Sequence, residues 1–374
     1  MKKHINYYFL ITVGLLVCFG ILFLATLSAP ASFQTFGNTN YYLFHQLVAL
    51  AIGLVLAFIT FKIPIHILKK ISPFLLALNI VLLLLVFMPL VGVKFLGAKR
   101  WIAIGSHTLQ PSEFLKITSM LYLAAFLSNR SLEGIKRGWT QTAKKGYDAF
   151  RKVFVPFLIL LSIIVAILYF QKDISTLGIV TVSLLAIYFA AETPLWHTLV
   201  VIISGISSAF LFIRIEPYRI QRLLIFLHPE SDPLGTGFHI RQSLIAMGSG
   251  GIFGKGLGMS TQKFGFLPEA MSDSVFAILG EELGIIGCTV VIILFITLFW
   301  QGIKIAKSTQ DRFSRLACIG IMVWILTQAF MNMASISGIF PLSGIPLPFF
   351  SYGGSHLVAE MIGIGIVLNI SKHG

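Results

Sequence analysis

Apolar residues run along this chain in long unbroken stretches separated by short polar punctuation. Ten stretches, near 8–28, 43–61, 73–93, 111–128, 154–170, 174–191, 195–213, 276–300, 316–336 and 348–369, are candidates to cross a bilayer, which takes roughly 20 mostly apolar residues in a helix. Their apolarity is continuous rather than alternating, so they predict helices and not barrel strands, which alternate over about ten residues. The expected architecture is an all-α polytopic membrane protein of about ten spans, one membrane domain over 1–374, with no separate soluble domain and no repeat of fixed period. The first stretch is too long for a signal peptide and lacks a small-residue cleavage site, so it is expected to remain as a span.

Composition strengthens that picture. Hydrophobic residues make up 56% of the chain and charged residues only 11%, against about 25% charged in soluble domains. The three cysteines, Cys18, Cys288 and Cys318, fall inside predicted spans at spacings that suit neither a disulfide framework nor a metal site, so apolar packing is their expected role.

Charge then sets the orientation. With 28 basic and 14 acidic residues the net charge is +14. An inner N-terminus places 17 of the 28 basic residues inside: Lys2, Lys3, Lys62, Lys69, Lys70, Arg130, Lys136, Arg137, Lys144, Lys145, Arg151, Lys152, Lys304, Lys307, Arg312, Arg315 and Lys372. This fits the positive-inside rule, and an even number of spans returns the C-terminus to the same side. Topology therefore accounts for the basic balance, and no nucleic-acid partner is expected. The outer side still carries Lys94, Lys99, Arg100, Lys172, Arg214, Arg219, Arg222, Arg241, Lys255 and Lys263. Insertion disfavours basic residues in short outer loops, so this excess points to an anionic ligand; the plainer account is that long translocated loops escape the rule.

Two connections are long. The inner one, near 129–153, is basic and suits contact with anionic lipid at the membrane surface. The outer one, 214–275, opens with YRIQRLLIFLHPE, a pattern for a short interfacial helix with Arg219 and Arg222 toward headgroups. It continues through ESDPLGTG, a turn, and IRQSLIAM, too short to span and expected to be re-entrant or interfacial. Structureless loops of this length are usually functional. GSGGIFGKGLG, Gly248 to Gly258, matches neither nucleotide-loop spacing, and its glycines suit a tight turn beside a headgroup as well as a phosphate cradle.

Ionisable residues at membrane depth are costly and mark functional candidates. Glu113 and Lys116 stand at i and i+3, share a helix face and can neutralise each other, which fits structural pairing as well as function. Asp173 follows the fifth stretch at the outer surface, and Glu269 and Asp273 close the long outer loop. Asp273 directly precedes an apolar run, so a helix N-cap is its alternative reading. Glu281, Glu282 and Glu360 lie deeper; adjacent glutamates point to different helix faces, so at most one of the first two can join a given cavity. Nine histidines show no metal-ligand spacing.

At these residues the chain resembles the SEDS proteins (shape, elongation, division and sporulation), FtsW and RodA. The resemblance runs in order through GAKRWIAIG and QPSEFLK (Gly97 to Lys116), DIST (Asp173 to Thr176), the segment Pro229 to Gly287 that contains FGFLPEAMSDSVFAILGEELGIIG, and GIPLPFFSYGGS (Gly344 to Ser355). It implies a ten-span glycosyltransferase that polymerises lipid II, a disaccharide–peptide on undecaprenyl diphosphate, beside a class B penicillin-binding protein and other division or elongation proteins. It implies Asp273 as the catalytic aspartate and Glu113, Lys116, Asp173 and Glu269 as a charge network. The substrate-binding candidates are Lys99, Arg100, Arg219, Arg222, Gln242, Ser243, Lys263 and Ser351. Two departures stand out: QKDIST replaces the more usual Q-P-D-L-G-T, and His356 occupies the place of a second serine.

The expected chemistry is attack of a sugar hydroxyl on a diphosphate-activated sugar, with Asp273 as base and outer cations on the phosphates. No resident cofactor is expected, and a divalent cation (Mg or Mn) on the substrate diphosphate is left open. GKGLGMSTQK and LPEAMSDSVFA look more like FtsW than RodA, which favours septal synthesis at the plasma membrane over elongation. A lipid flippase or a noncatalytic scaffold are the rival readings; clustering of charge on one face, rather than at the midplane, favours the enzyme.

Overall fold

A computed structural model describes residues 6–89, 91–95, 98–105, 107–130, 150–215, 220, 224–228, 232 and 235–372. Helices occupy all ten expected stretches. In chain order they are α1 (Tyr7–Phe36), α2 (Tyr41–Lys62), α3 (Ile65–Leu85), α4 (Pro111–Ser128), α5 (Val155–Phe170), α6 (Ile174–Ala190) and α7 (Leu195–Ile215). After the short α8 (Thr236–Gly250) follow α9 (Val275–Ser308), α10 (Arg312–Ile336) and α11 (Gly354–Ser371). Among the described residues, seven helical segments are long and apolar enough to cross a bilayer unaided: α1, α2, α3, α5 with its preceding turn, α9, α10 and α11. The 17 residues of α6 are at the short limit for a crossing, and α4 carries a buried Glu and Lys, so helix length and apolarity alone do not establish ten crossings.

Burial sorts these helices into layers. The faces of α4, α10 and α11 are largely enclosed by protein, with Trp324, Leu115, Met120 and Ile364 inaccessible. α2 and α3 instead present Phe58, Phe74, Leu78 and Val81 outward, as lipid-facing helices do. Local signals explain the ends. Asn6 caps α1 by accepting from the Phe9 N–H at 3.1 Å, Gly37 closes that helix at φ 69°, and Asp311 caps α10 through the Ser314 N–H at 2.9 Å.

Three expectations need correction. The third helix lies at Ile65–Leu85 rather than 73–93, because the polar run HILKK is taken into the helix and the chain turns after Leu85. The residues beyond form an antiparallel sheet, β1 (Gly92–Phe95), β2 (Ala98–Ile104) and β3 (His107–Leu109), where only a loop was expected. The last helix begins at Gly354 rather than 348, since PLPFFSYGG folds as a turn.

The eighth apolar stretch is not a continuous helix. Gly284 breaks it with φ 67° and ψ −164°, a conformation open to glycine. The glycine-rich segment crosses at this break. Lys255 N–H donates to Glu281 O at 3.0 Å and Gly256 N–H to Glu282 O at 2.9 Å; beyond the break, Ile285 N–H donates to Gly251 O at 3.0 Å and Ile286 N–H to Ile252 O at 3.2 Å. The backbone groups freed by the break are thus paired, as apolar surroundings require. The segment is the tight turn expected of it, and its partner is protein backbone.

Candidate active site

The turn that carries Asp273 is held from three directions. Glu269, at φ 49°, accepts at its carbonyl from the Ser272 N–H (3.1 Å) and the Ser274 N–H (3.2 Å). From α10, the Asn332 amide donates to the carbonyls of Asp273 (2.8 Å) and Ile345 (2.7 Å). From the turn before α11, Tyr352 N–H donates to Met271 O at 2.8 Å, and the Ser351 hydroxyl donates to Ser272 O. The α8 residue His239 meets the Ser274 hydroxyl at 2.6 Å. Ser274, not Asp273, is the N-cap of α9, so the capping alternative for Asp273 does not hold. The Asp273 carboxyl is half-buried and passes Gly344, where a Cβ would stand 3.4 Å from Oδ2.

That carboxyl opens on a cavity of about 1680 Å³, lined also by Arg100, Gln110, Glu113, Lys116, Asp173, Glu269, Ser272, Tyr352 and His356. Its polar walls come from the connections assigned to the outer side. An apolar limb runs between α5, α6 and α7 past Leu158, Leu161, Val165, Val182 and Val201. The space is large for a ligand pocket and joins polar to apolar walls, as a lipid-linked sugar would require.

Deep in the cavity, Lys116 is 1% exposed and its ammonium lies 2.7 Å from Glu113 Oε2. The same ammonium donates to Gln328 Oε1 at 2.8 Å and sits 5.1 Å from the Trp324 ring. Gln328 also accepts from the Trp324 indole (2.8 Å) and donates to Glu360 Oε1 (3.4 Å), while Glu360 Oε2 accepts from the Phe349 N–H (3.0 Å). Two acids and one lysine, joined by an amide, thus share one buried network. Near the mouth, Asp173 caps α6, accepts from the Ser112 hydroxyl at 3.2 Å and pairs with Arg100 at 3.8 Å. Arg100 reaches it from β2 and also donates to the carbonyls of Gln171 and Lys172, the latter at φ 58°.

Asp273, Glu113, Lys116, Asp173, Glu269 and Arg100 line one space. Other candidates are placed elsewhere. Lys263 does not line the cavity; its ammonium is held by Glu282 (3.1 Å) and the Gly258 carbonyl (2.6 Å). Ser351 is buried under the turn, where its hydroxyl accepts from Leu347 N–H at 2.8 Å. Ser243 is buried on α8 with its hydroxyl on His239 O, and Gln242 and Lys99 are half-buried outside the cavity lining. Arg219 and Arg222 lie outside the described residues. Glu281 and Glu282 do not line the cavity either; both hold the glycine-rich turn. Among the described residues no group of three or more His, Cys, Asp or Glu is placed to hold a metal ion.

Reading the sequence missed Gln328, Asn332, Tyr352 and the cavity role of His356, whose Nε2 is buried without a hydrogen-bond partner among the described residues. The available signal was a pair of amides at i and i+4 in an otherwise apolar run, which stack on one helix face.

Comparison with known proteins extends over nearly the whole chain. The FtsW/RodA/SpoVE family model, described as cell cycle protein, matches residues 6–374. A probable peptidoglycan glycosyltransferase FtsW of Coxiella burnetii is 36% identical over 359 residues, covering 95% of this chain and 93% of that protein. Stage V sporulation protein E of Bacillus subtilis is 35% identical, covering 96% and 94%. Among solved structures, a chain from a peptidoglycan synthase complex that coordinates polymerization and crosslinking superposes with a TM-score of 0.78 at 25% identity, over 98% of this chain and 97% of that one. The rod shape determining protein RodA of Thermus thermophilus shares the fold, with a TM-score of 0.70 at 23% identity over 98% and 96%.

Proposed function

The chain belongs to the FtsW/RodA/SpoVE family of cell cycle proteins, and from that premise we propose that it polymerises lipid II into peptidoglycan glycan strands in the cavity beside Asp273. One observation carries the reading: a half-buried carboxylate shares a single large cavity with Arg100 and Lys116, between polar walls and an apolar limb. In the reaction, the 4-hydroxyl oxygen of the acceptor sugar bonds to the anomeric carbon of the donor. The bond from that carbon to the diphosphate oxygen breaks, and undecaprenyl diphosphate leaves from the opposite face. Asp273 takes the hydroxyl proton, and Arg100 stabilises charge on the departing diphosphate. Lys116, neutralised by Glu113, sets the potential at the cavity floor, and the apolar limb faces the isoprenoid chain.

The site works at the outer face of the bacterial plasma membrane, where the positive-inside bias places these loops. FtsW-like motifs and relatives named FtsW support septal synthesis over elongation. The partners are a crosslinking class B penicillin-binding protein, other division proteins and membrane lipid. A divalent cation belongs, on this reading, with the substrate diphosphate.

Purified protein supplied with lipid II should yield a ladder of glycan products. Asp273→Asn should abolish the ladder, a loss of at least about 10³-fold, with an unchanged melting temperature in detergent. Substantial residual polymer would remove Asp273 from the role of base. Translocated monomer with no ladder would favour a flippase.

A further inference from the structure

At the opposite end of the bundle, a second cavity of about 440 Å³ opens between the start of α3 and the end of α4. Lys69 and Lys70 supply its cationic side, His66, Tyr122 and Asn129 its other polar groups, and Pro73, Ala125 and Phe126 its apolar wall. Arg130 adds a third cation beside it, 5.2 Å from the Phe126 ring. No carboxylate lines this space among the described residues. The glycan-synthesis chemistry makes no use of it.

Lys69 and Lys70 differ from several other cations expected on the same side. Lys62, Lys304 and Lys372 rest over aromatic rings at 5.4, 3.6 and 3.1 Å. Lys69 and Lys70 have neither a ring nor an acid as partner among the described residues, although Lys69 is half-buried. Concentrated positive charge in a recess where no described residue supplies a carboxylate calls for an anion. The apolar wall, and the outward-facing Ile67, Phe74 and Leu78 of α3 next to it, call for an anion with a hydrocarbon tail. Positive-inside topology alone would need the charges but would be indifferent to the recess, the tyrosine and the asparagine.

We propose that this cavity seats the phosphodiester headgroup of an anionic phospholipid of the inner leaflet, with its acyl chains running down the exposed face of α3. Basic recesses between spanning helices on the cytoplasmic side bind such headgroups through charge-assisted hydrogen bonds. The inference rests on charge topology and the recess, independently of the reaction proposed for the other end.

The test is native mass spectrometry of the full-length protein released from nanodiscs that contain phosphatidylglycerol and phosphatidylcholine. Wild type should retain phosphatidylglycerol selectively, and Lys69→Gln with Lys70→Gln should weaken retention roughly ten- to thirty-fold. Asn129→Phe keeps every charge and obstructs the recess, and should weaken it comparably. Lys304→Gln with Lys307→Gln should have no effect. Equal retention by the Lys69/Lys70 or Asn129 variants, or equal loss in the Lys304/Lys307 variant, would overturn the site. Displacement of the lipid by millimolar inorganic phosphate, with phosphate then retained in its place, would overturn the lipid as occupant.

Discussion

Two buried clusters in this molecule pair glutamates with lysines, and they are built on opposite terms. Around the glycine-rich turn the carboxylates are saturated. Glu281 accepts from Lys255 Nζ (2.7 Å), the Ser260 hydroxyl, both the N–H and hydroxyl of Thr261, and Gln262 N–H; Glu282 accepts from Gly258 N–H, Ser260 N–H and Lys263 Nζ. At the cavity floor, Glu113 Oε2 meets only the Lys116 ammonium and accepts no other hydrogen bond from a described group. A residue that lines a cavity with hydrogen-bonding capacity left unfilled is what a binding site needs; a saturated cluster has nothing left to offer a ligand and serves to hold chain segments together. Similar residue types thus make a clamp in one place and a working surface in the other.

The comparison breaks most sharply at Gly284, on which the clamp depends. Gly284→Ala forces a side chain into φ 67° and against the Ile252 carbonyl. The cost should reach about 3 kcal/mol or more, read as lost folded yield and a lower melting temperature in detergent.

Paired substitutions separate the two clusters. Removing one partner of a buried ion pair costs about 3–5 kcal/mol, whereas removing both leaves no lone charge. Glu113→Gln and Lys116→Met, combined with Glu360→Gln so that no charge is left in the network, should therefore fold with near-normal melting yet lose roughly 10²-fold in polymerisation rate. Glu282→Gln with Lys263→Met should melt earlier, since the Gly258 and Ser260 amides lose a charged acceptor, while the rate per folded molecule stays within about threefold. If both pairs gave the same balance of rate and stability, the distinction between clamp and working surface would be lost. The smallest effect is expected at the mouth. Arg100→Lys keeps the charge but loses the planar fork on Asp173 and the two carbonyls, and should lower kcat for lipid II polymerisation about tenfold with little change in KM, because the charge it meets develops on the departing diphosphate.

Much of the candidate site is legible in the sequence. Glu113 with Lys116, and Asp173 with Asp273, stand out because charge is rare in such a chain and each lies at the edge of an apolar run. Lys263 was misread because its charge alone suggested a phosphate partner, while its true partner, Glu282, lies 19 positions away across a helix break. Gln328 and Glu360 escaped assignment because the bond between them joins α10 to α11.

Residue order by itself determined where the membrane helices lie and which loops carry positive charge, because transfer of an apolar run out of water and retention of basic loops are sums over neighbouring residues. Only the packed bundle decided that Arg100, Glu113, Asp173 and Asp273 share one cavity while Lys263 and Ser351 do not. Such sharing depends on distances between segments far apart in the chain, and those distances follow from how the helices pack and where the backbone bends, as it does at Gly284.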